Sequence, residues 1–430
     1  MRGTRWGGER GSLPHPVTVR VTMDTLVTIS TILAVASVTE CVLWAVLAIR
    51  AVREWRCALF IADALRLPPV PLPLLTVVIP AHNEEVMAPA CARSVLASDY
   101  PALELIFVLD RCTDGTRAAL EVVAATDARL RIVENSSCPA DWAGKCNAAR
   151  IGAEHARGEL LLFTDADTHF DSKLLRASVQ LLRSRKLSML SLFSSPTHNH
   201  WFEMVVQPVT SLMLLKLFPM KRANASKGRR PFANGQFMLF DRAAYQTLGG
   251  HAAVKDDLLE DLAFARRMKR AKMEQGVAVS DGMLVVSMYD SWKAFQTGWK
   301  RIYIESCRRN PSRMRKEALQ LLVIVVAMPM IRTASAALAA IALLDGRALD
   351  EGARAFAIAV LCVGIAAPLI RLATLAWIHR TASFPVWSAL FFPGAALAVA
   401  GIFLEGARDL QARTPVRWGG RDYLLEPTDL

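Results

Sequence analysis

Along the 430-residue chain, apolar positions follow two patterns, short runs in the middle and long runs near the ends. From Leu74 the apolar runs "LLTVVIPA", "LELIFVLD", "RLRIVE" and "ELLLFTDAD" are separated by helical stretches through Glu85 to Ala97, Thr116 to Ala125 and Gly144 to Ala156. Strands alternating with helices at this spacing predict an α/β domain with a mostly parallel, helix-covered sheet and a ligand site at the carboxyl ends of its strands. After Phe170 the alternation weakens. His200 to Arg222 is apolar but interrupted by Glu203, Gln207, Pro208 and Lys216, too broken to span a bilayer. It predicts a helix lying at a membrane interface, with an ordinary core helix as the alternative. A strand at Gly235 to Asp241, a helix at Leu258 to Arg270 and a hairpin at Val277 to Tyr289 complete the central region.

The long runs are Leu26 to Ile49, Ala318 to Leu344, Ala355 to Ile378 and Phe384 to Leu404. Each approaches the roughly 20 apolar residues that a bilayer requires. Arg332 and Arg371 interrupt two of them and predict contacts with a helix bundle or lipid headgroups, or a helix that only re-enters the membrane. The division expected is a tail (1–23), a membrane helix (24–50), a linker (51–73), a catalytic domain (74–303), a basic juxtamembrane segment (304–317), about three membrane helices (318–404) and a second tail (405–430).

Apolar residues make up 53% of the chain and mean hydropathy is +0.28, a mixture of globular and membrane character. A formal charge of +12 raises the possibility of a nucleic-acid partner. The basic residues crowd instead beside the long runs: Arg50, Arg53 and Arg56 after the first, and Arg308, Arg309, Arg313, Arg315 and Lys316 before the second. This positive-inside pattern predicts a multi-pass cell-membrane protein with a cytoplasmic central domain, membrane lipids at its basic collar and no nucleic acid. Arg2, Arg5, Arg10 and Arg20 blur the rule, and Met23 would give a tidier start. Eight cysteines without a C-x-x-C pair read as reduced packing residues rather than metal ligands.

The strand "LLLFTDADTHF" ends in Asp165 and Asp167. Two carboxylates so close repel unless a cation lies between them or water screens them in an exposed turn. Asp110 and the Asn83-Glu84-Glu85 group fall at the ends of other strands, and this convergence argues against a solvated turn. Lys145, opening a helix after Gly144, is suited to neutralise phosphate or contact a sugar, although a surface lysine is the plainer alternative.

In order, "VVIPAHNEE", "VLDRCTDGT", "WAGKCNA", "FTDAD" and "LEDLAFARR" resemble the motifs of the family 2 inverting glycosyltransferases, of the GT-A nucleotide-sugar-binding fold. The resemblance covers about Leu74 to Tyr303, and "WAGKCNA" with "RRPFANGQFMLFDRAAYQTLGGH" is most similar to membrane-bound enzymes that glycosylate hopanoid, carotenoid or other lipid acceptors. It implies a nucleotide-diphosphate sugar donor, a lipid acceptor and a divalent metal, Mg or Mn. By the same resemblance Asp167 and Asp165 form the D-x-D pair, with Asp167 on the metal and Asp165 nearer the ribose or metal-bound water. Asp110 lies near the nucleobase. Pro80, Asn83 and Glu84 line the ribose and base, and Asn234 and Gly235 belong to the substrate site. An inverting transfer is a single displacement in which the acceptor hydroxyl loses a proton. The resemblance makes Asp261 that base, with Glu260 beside it. Helix-terminal acids favoured by the dipole are the alternative reading of this pair.

Two departures shape the expectation. Leu109 occupies the place where the family often has a second aspartate, leaving Asp110 alone. Processive synthases of the family carry Q-x-x-R-W, whereas "FQTGWKR" keeps Gln296 and Trp299 but lacks the Arg-Trp pair. A single transfer is therefore favoured over a processive polysaccharide synthase, with a catalytically silent nucleotide-sugar-binding scaffold as a third reading. His198 and His200 read as ordinary loop residues, Met288 to Tyr303 as an amphipathic interface helix, and Lys221, Arg222, Lys227, Arg229 and Arg230 as a loop facing lipid headgroups, an acceptor phosphate or solvent.

Overall fold

The computed structural model describes residues 23–225, 230–344, 349–418 and 421–428. Lys227, Arg229, the arginines of the N-terminal tail and the start at Met23 as a question of processing lie outside what it describes. The chain forms two compact units, one containing the first long helix as far as Cys41 together with Met328–Ala367, the other Val42–Ala327 with Pro368–Leu430.

The first long helix, α1 (Met23–Arg56), is followed by β1 (Leu59–Phe60), β2 (Leu75–Ala81), α2 (Ala88–Leu96), β3 (Leu103–Asp110), α3 (Thr116–Ala124), β4 (Leu130–Asn135), α4 (Gly144–His155) and β5 (Leu160–Thr164). β2, β3 and β5 are almost continuously apolar because both of their faces are buried under helices. Next come β6 (Thr168–Phe170), α5 (Leu174–Ser184), β7 (Met189–Phe193), β8 (Ser195–Pro196), α6 (Trp201–Val205), α7 (Gln207–Leu217), α8 (Met220–Ala223), β9 (Phe237–Asp241), α9 (Arg242–Thr247), α10 (Glu260–Arg270), β10 (Gln275–Val279) and β11 (Leu284–Val286).

The main sheet has eight strands in the order β1-β10-β7-β9-β5-β2-β3-β4. Its pairs are parallel except where β9 runs antiparallel between β5 and β7. This is the expected mostly parallel α/β sheet. The chain proceeds from β2 outward to β3 and β4, then returns to place β5 on the other side of β2. That reversal opens a crevice at the carboxyl ends of β2 and β5, where ligands of such sheets bind.

Two expectations are corrected. Val277 to Tyr289 is no hairpin: β10 joins the main sheet beside β7, whereas β11 joins a small sheet between β6 and β8. The turn at Asp281-Gly282 redirects the chain because β7 already offers β10 a parallel partner. His200 to Arg222 is not one helix but three short ones, broken where Pro208 and Pro219 remove backbone donors. Phe202, Val206, Val209, Met213 and Leu217 are buried in a protein core, as an ordinary core helix would have them.

The rest of the chain is α11 (Trp292–Ser306), α12 (Pro311–Leu322), a wide turn at Val323–Ala327, α13 (Met328–Leu344), α14 (Glu351–Thr381), α15 (Phe392–Gln411), β12 (Val416–Trp418) and β13 (Arg421–Tyr423). Ser291 Oγ accepts the Ala294 N–H at the start of α11, and Asn310 Oδ1 accepts the Arg313 N–H at the start of α12. Among the described residues four helical segments are long and apolar enough to cross a membrane: Thr31–Arg56, Pro311–Leu344, Glu351–Thr381 and Val386–Gln411. Of the two arginines that interrupt the apolar runs, Arg332 is buried in its own unit, 3.4 Å from Glu40. The eight cysteines are free thiols.

Candidate active site

At the crevice between β2 and β5 lies an open cleft of about 570 Å³. Pro80 and Glu84 reach it from the end of β2, Asp110 from β3, Gly144 and Lys145 from the start of α4, and Asp165 and Asp167 from the turn after β5. Asn234 and Gly235, just before β9, and Glu260 and Asp261, opening α10, also line it. Residues scattered over 180 positions of sequence thus converge on one space, because each sits at a strand or helix end facing the switch point.

The electrostatic centre is Lys145. Its Nζ lies 2.6 Å from Asp165 Oδ1 and 2.8 Å from Glu260 Oε1, so it joins the strand-end acids to the helix-start acids. Burial pulls the Lys145 pKa down, but these two carboxylates hold it well above the ordinary lysine range. Burial likewise works against Glu260, yet contact with Lys145 keeps its pKa below normal. Both members of this bridge are therefore charged.

The other acids are poorly compensated. Burial, with the neighbouring charges of Asp165 and Glu84, drives the Asp167 pKa well up. Its Oδ1 is buried and has no hydrogen-bond partner. Glu84 is raised to about 7 by burial and by Asp165 and Asp114. Asp261 is also raised to about 7, by burial and by Glu260, although its Oδ2 accepts the Gly235 N–H at 2.8 Å and its Oδ1 the Leu262 N–H at 2.6 Å. Gly235 sits close to the bridge: a Cβ there would lie 3.1 Å from Lys145 Nζ and 3.2 Å from Glu260 Oε1, so both side-chain ends would have to give way.

An orphaned carboxylate oxygen in a crowd of acids fits a divalent cation. Among the described residues no three His, Cys, Asp or Glu side chains gather into a closed metal cage. The residues present suit a hard ion held by one or two carboxylates, with remaining positions for phosphate and water.

Other expected residues take more specific positions. Asp110 is buried, its Oδ1 accepting from Asn135 Nδ2 at 2.8 Å and its Oδ2 from Arg111 at 2.6 Å, so it enters the cleft as part of a triad. Asn234 lines the cleft while its Nδ2 donates to Leu192 O and Gln236 Oε1. Asn83 does not line the cleft: its Oδ1 accepts the Thr113 N–H at 2.8 Å and holds the loop after β3. Glu85 does the same for the Gly115 N–H, also at 2.8 Å.

Several lining residues escaped the sequence reading. His82 and Arg111 sit inside recognised motifs but were given no role. Phe193 ends β7, Gln207 and Leu214 come from α7, and Phe232 from the loop before β9, while Arg301, Trp418 and Tyr423 come from α11 and the β12–β13 hairpin. Trp299, noted only within "FQTGWKR", lines the cleft and donates its Nε1–H to Gln207 Oε1 at 3.2 Å. The far wall is thus aromatic and apolar, unlike the acidic wall across from it.

A mostly parallel sheet with a D-x-D turn at its switch point defines a nucleotide-sugar-binding domain of GT-A type. Residues 76–249 match Glycosyl transferase family 2, and the chain carries a glycosyltransferase domain of that family. It is 24% identical over 237 residues to the 4,4'-diaponeurosporenoate glycosyltransferase of Staphylococcus haemolyticus, a match over 53% of this chain and 60% of that one. The chain therefore spans about three fifths of that curated relative. Among solved structures, the mannosyltransferase PcManGT of Pyrobaculum calidifontis, in complex with GDP-Man and Mn2+, is similar over 80% of this chain and 97% of its own, at 19% identity and a TM-score of 0.45. S. aureus TarS 1-349 in complex with UDP-GlcNAc is similar over 82% and 96%, at 13% identity and a TM-score of 0.38.

Proposed function

We propose that this chain is a membrane-bound inverting glycosyltransferase that moves one sugar from a nucleotide-diphosphate donor to a lipid acceptor at the cytoplasmic leaflet. The observation that carries the reading is the gathering in one cleft of Asp167, whose buried Oδ1 has no hydrogen-bond partner, and Asp261, held by the Gly235 and Leu262 N–H groups. One acid is suited to a cation and the other to a proton. The apolar far wall and the four long apolar helices support a lipid acceptor, and the relative named for a carotenoid acid is consistent with one.

In this mechanism Asp167, with Asp165, would hold Mg or Mn, which when bound supplies positive charge to a leaving diphosphate. Lys145 fixes Asp165 and Glu260 relative to each other and adds a cation beside the phosphates. Glu84 and Asp110 line the nucleoside end. Asp261, held by the Gly235 and Leu262 N–H groups, accepts the acceptor hydroxyl proton as oxygen attacks the anomeric carbon from the face opposite the diphosphate. The bond to the diphosphate breaks as the new glycosidic bond forms, so the configuration inverts. A base with a pKa near working pH is well matched to this task.

The test is purified full-length protein in detergent, incubated with radiolabelled UDP- and GDP-sugars and a total lipid extract, with and without Mg or Mn. Label entering the organic phase with one donor, only in the presence of metal, is the expected result. A water-soluble ladder of products would replace single transfer with polymerisation, and no turnover of any donor would refute the enzymatic reading for the donors tested.

A further inference from the structure

Arg301 differs from the other cations of the cleft. Lys145 pairs with Asp165 and Glu260, and Arg111 with Asp110. Just outside, the neighbouring Lys300 pairs with Glu405 and Asp409. Among the described residues no carboxylate is paired with Arg301. Its NH1 makes one long hydrogen bond, 3.3 Å, to Leu258 O, three residues before Asp261. Its Nε is buried without a hydrogen-bond partner. A guanidinium is costly to leave so poorly satisfied, since each buried donor without an acceptor forfeits its bonds to water.

The guanidinium is held in place by the C-terminal segment. Arg301 Cζ lies 4.4 Å from the centre of the Trp418 ring, a cation-π contact. Trp418 ends β12, which pairs antiparallel with β13 through Val416 and Tyr423. Trp418 and Tyr423 both line the cleft. Beyond the hairpin, Leu425 is buried, and Glu426 lies 3.1 Å from Arg413. Thr428 then docks on the bend between α11 and α12: its N–H donates to Arg309 O at 2.9 Å, its hydroxyl to Arg308 O at 2.5 Å, and its carbonyl accepts from Asn310 Nδ2 at 3.0 Å. Arg308 and Arg309 both adopt left-handed backbone there, with φ of 59° and 55°. Two consecutive arginines in that conformation need outside support, and the strap supplies it.

We propose that Arg301 and Trp418 form an anion-binding subsite in the far wall of the cleft, with Arg301 as the ligand-binding cation and the strapped hairpin as the platform that orients it. The subsite receives a phosphate or carboxylate oxygen of a bound substrate. The planar fork is suited to two such oxygens and is already fixed by the indole, so little side-chain freedom is lost on binding. The chemistry has two sources under the glycosyltransferase reading, on which the inference rests only for naming them: the diphosphate of the donor, or an acidic head on the acceptor.

The experiment measures binding, without turnover, to full-length protein in detergent. UDP, GDP and inorganic pyrophosphate with Mg represent the donor, and farnesyl phosphate, with farnesol as its uncharged control, represents the acceptor. Arg301→Gln is expected to weaken one of the two anion classes by about tenfold or more, with farnesol affected by less than about twofold. Trp418→Ala gives a smaller loss and Trp418→Phe almost none; thermal unfolding of each variant, with Arg301→Lys as a second charged form, separates binding from misfolding. Loss confined to UDP, GDP and pyrophosphate assigns the subsite to the donor, and loss confined to farnesyl phosphate assigns it to the acceptor. Wild-type affinity of a folded Arg301→Gln for every anion overturns the proposal. A protein that transfers no sugar yet binds anions through Arg301 keeps the subsite and sinks the glycosyltransferase reading instead.

Discussion

Lys145 and Arg332 are both cations set beside carboxylates away from bulk water, but their surroundings differ. Lys145 forms ion pairs with Asp165 and Glu260 at once, yet Asp167 and Asp261 remain close by without a cation of their own. Arg332 and Glu40 are buried as one pair in the other unit, 3.4 Å apart. Neither carboxylate oxygen of Glu40 makes a hydrogen bond, and NH1 of Arg332 makes none. Charges in the second case balance one to one, which suits a lock between helices. In the first, carboxylates exceed the cation that joins them. A fold retains such an excess where a ligand relieves it, and the difference separates a site from a structural pair.

The largest effects should come from removing the excess. Asp167→Asn and Asp261→Asn are each expected to lower transfer by about 10² to 10⁴-fold, the first through the metal and the second through loss of the base. Release of labelled sugar into the organic phase measures both. Thermal unfolding should change little or rise, because each substitution removes a poorly compensated charge. If Asp261→Asn retains full activity, the acceptor proton goes elsewhere.

At the Arg332–Glu40 pair the effect should fall on stability. Glu40→Leu or Arg332→Met alone leaves an unpaired buried charge and should cost about 3–5 kcal/mol, whereas the double replacement should restore most of it. Unfolding in detergent or lipid nanodiscs measures this cycle. Equal losses in the single and double variants would mean that the two residues do not act as a pair.

The pH dependence sharpens the first side of the comparison. Asp261 must be ionised to accept a proton, and burial with Glu260 raises its pKa from 3.8 to about 7. Lys145 and the Gly235 and Leu262 N–H groups act the other way without cancelling that rise. Transfer should therefore climb with pH, level off above about 7, and fall about tenfold for each unit below it. An acid limb near pH 4 would show that neither burial nor Glu260 raises the group that accepts the proton, and would count against Asp261 as the base.

The acidic half of the site was readable because its residues sit at the ends of strands whose apolar runs are unmistakable. Asp165, Asp167 and Asp110 follow such runs directly, Lys145 opens a helix after Gly144, and Asp261 was legible only through the resemblance. The aromatic half was not. Phe193 follows no motif, Phe232 lies in a stretch that gave it no role of its own, and Trp418 reaches the cleft only because a short hairpin after α15 packs against Arg301. No local period encodes a contact between residues so far apart. The Val277 to Tyr289 region misled for a related reason, since alternating apolar residues around Asp281-Gly282 favour a hairpin until β7 and β6 offer competing partners.

Asn83 provides the smallest and most discriminating test, because the resemblance gives it to the substrate and the structure gives it to a loop. Its φ is 57°, in the left-handed region that asparagine tolerates better than most residues. Its side chain accepts the Thr113 N–H at 2.8 Å and donates to Thr113 Oγ1 at 3.3 Å. Asn83→Gly keeps the backbone but loses these bonds, for about 0.5–1.5 kcal/mol. Asn83→Ala adds a left-handed strain of about 1–2 kcal/mol. Unfolding should therefore rank wild type above glycine and glycine above alanine, while KM for the donor shifts by no more than about twofold in both. A tenfold rise in KM for the glycine variant, with the same unfolding order, would return Asn83 to the substrate wall and imply that the loop after β3 moves when donor binds.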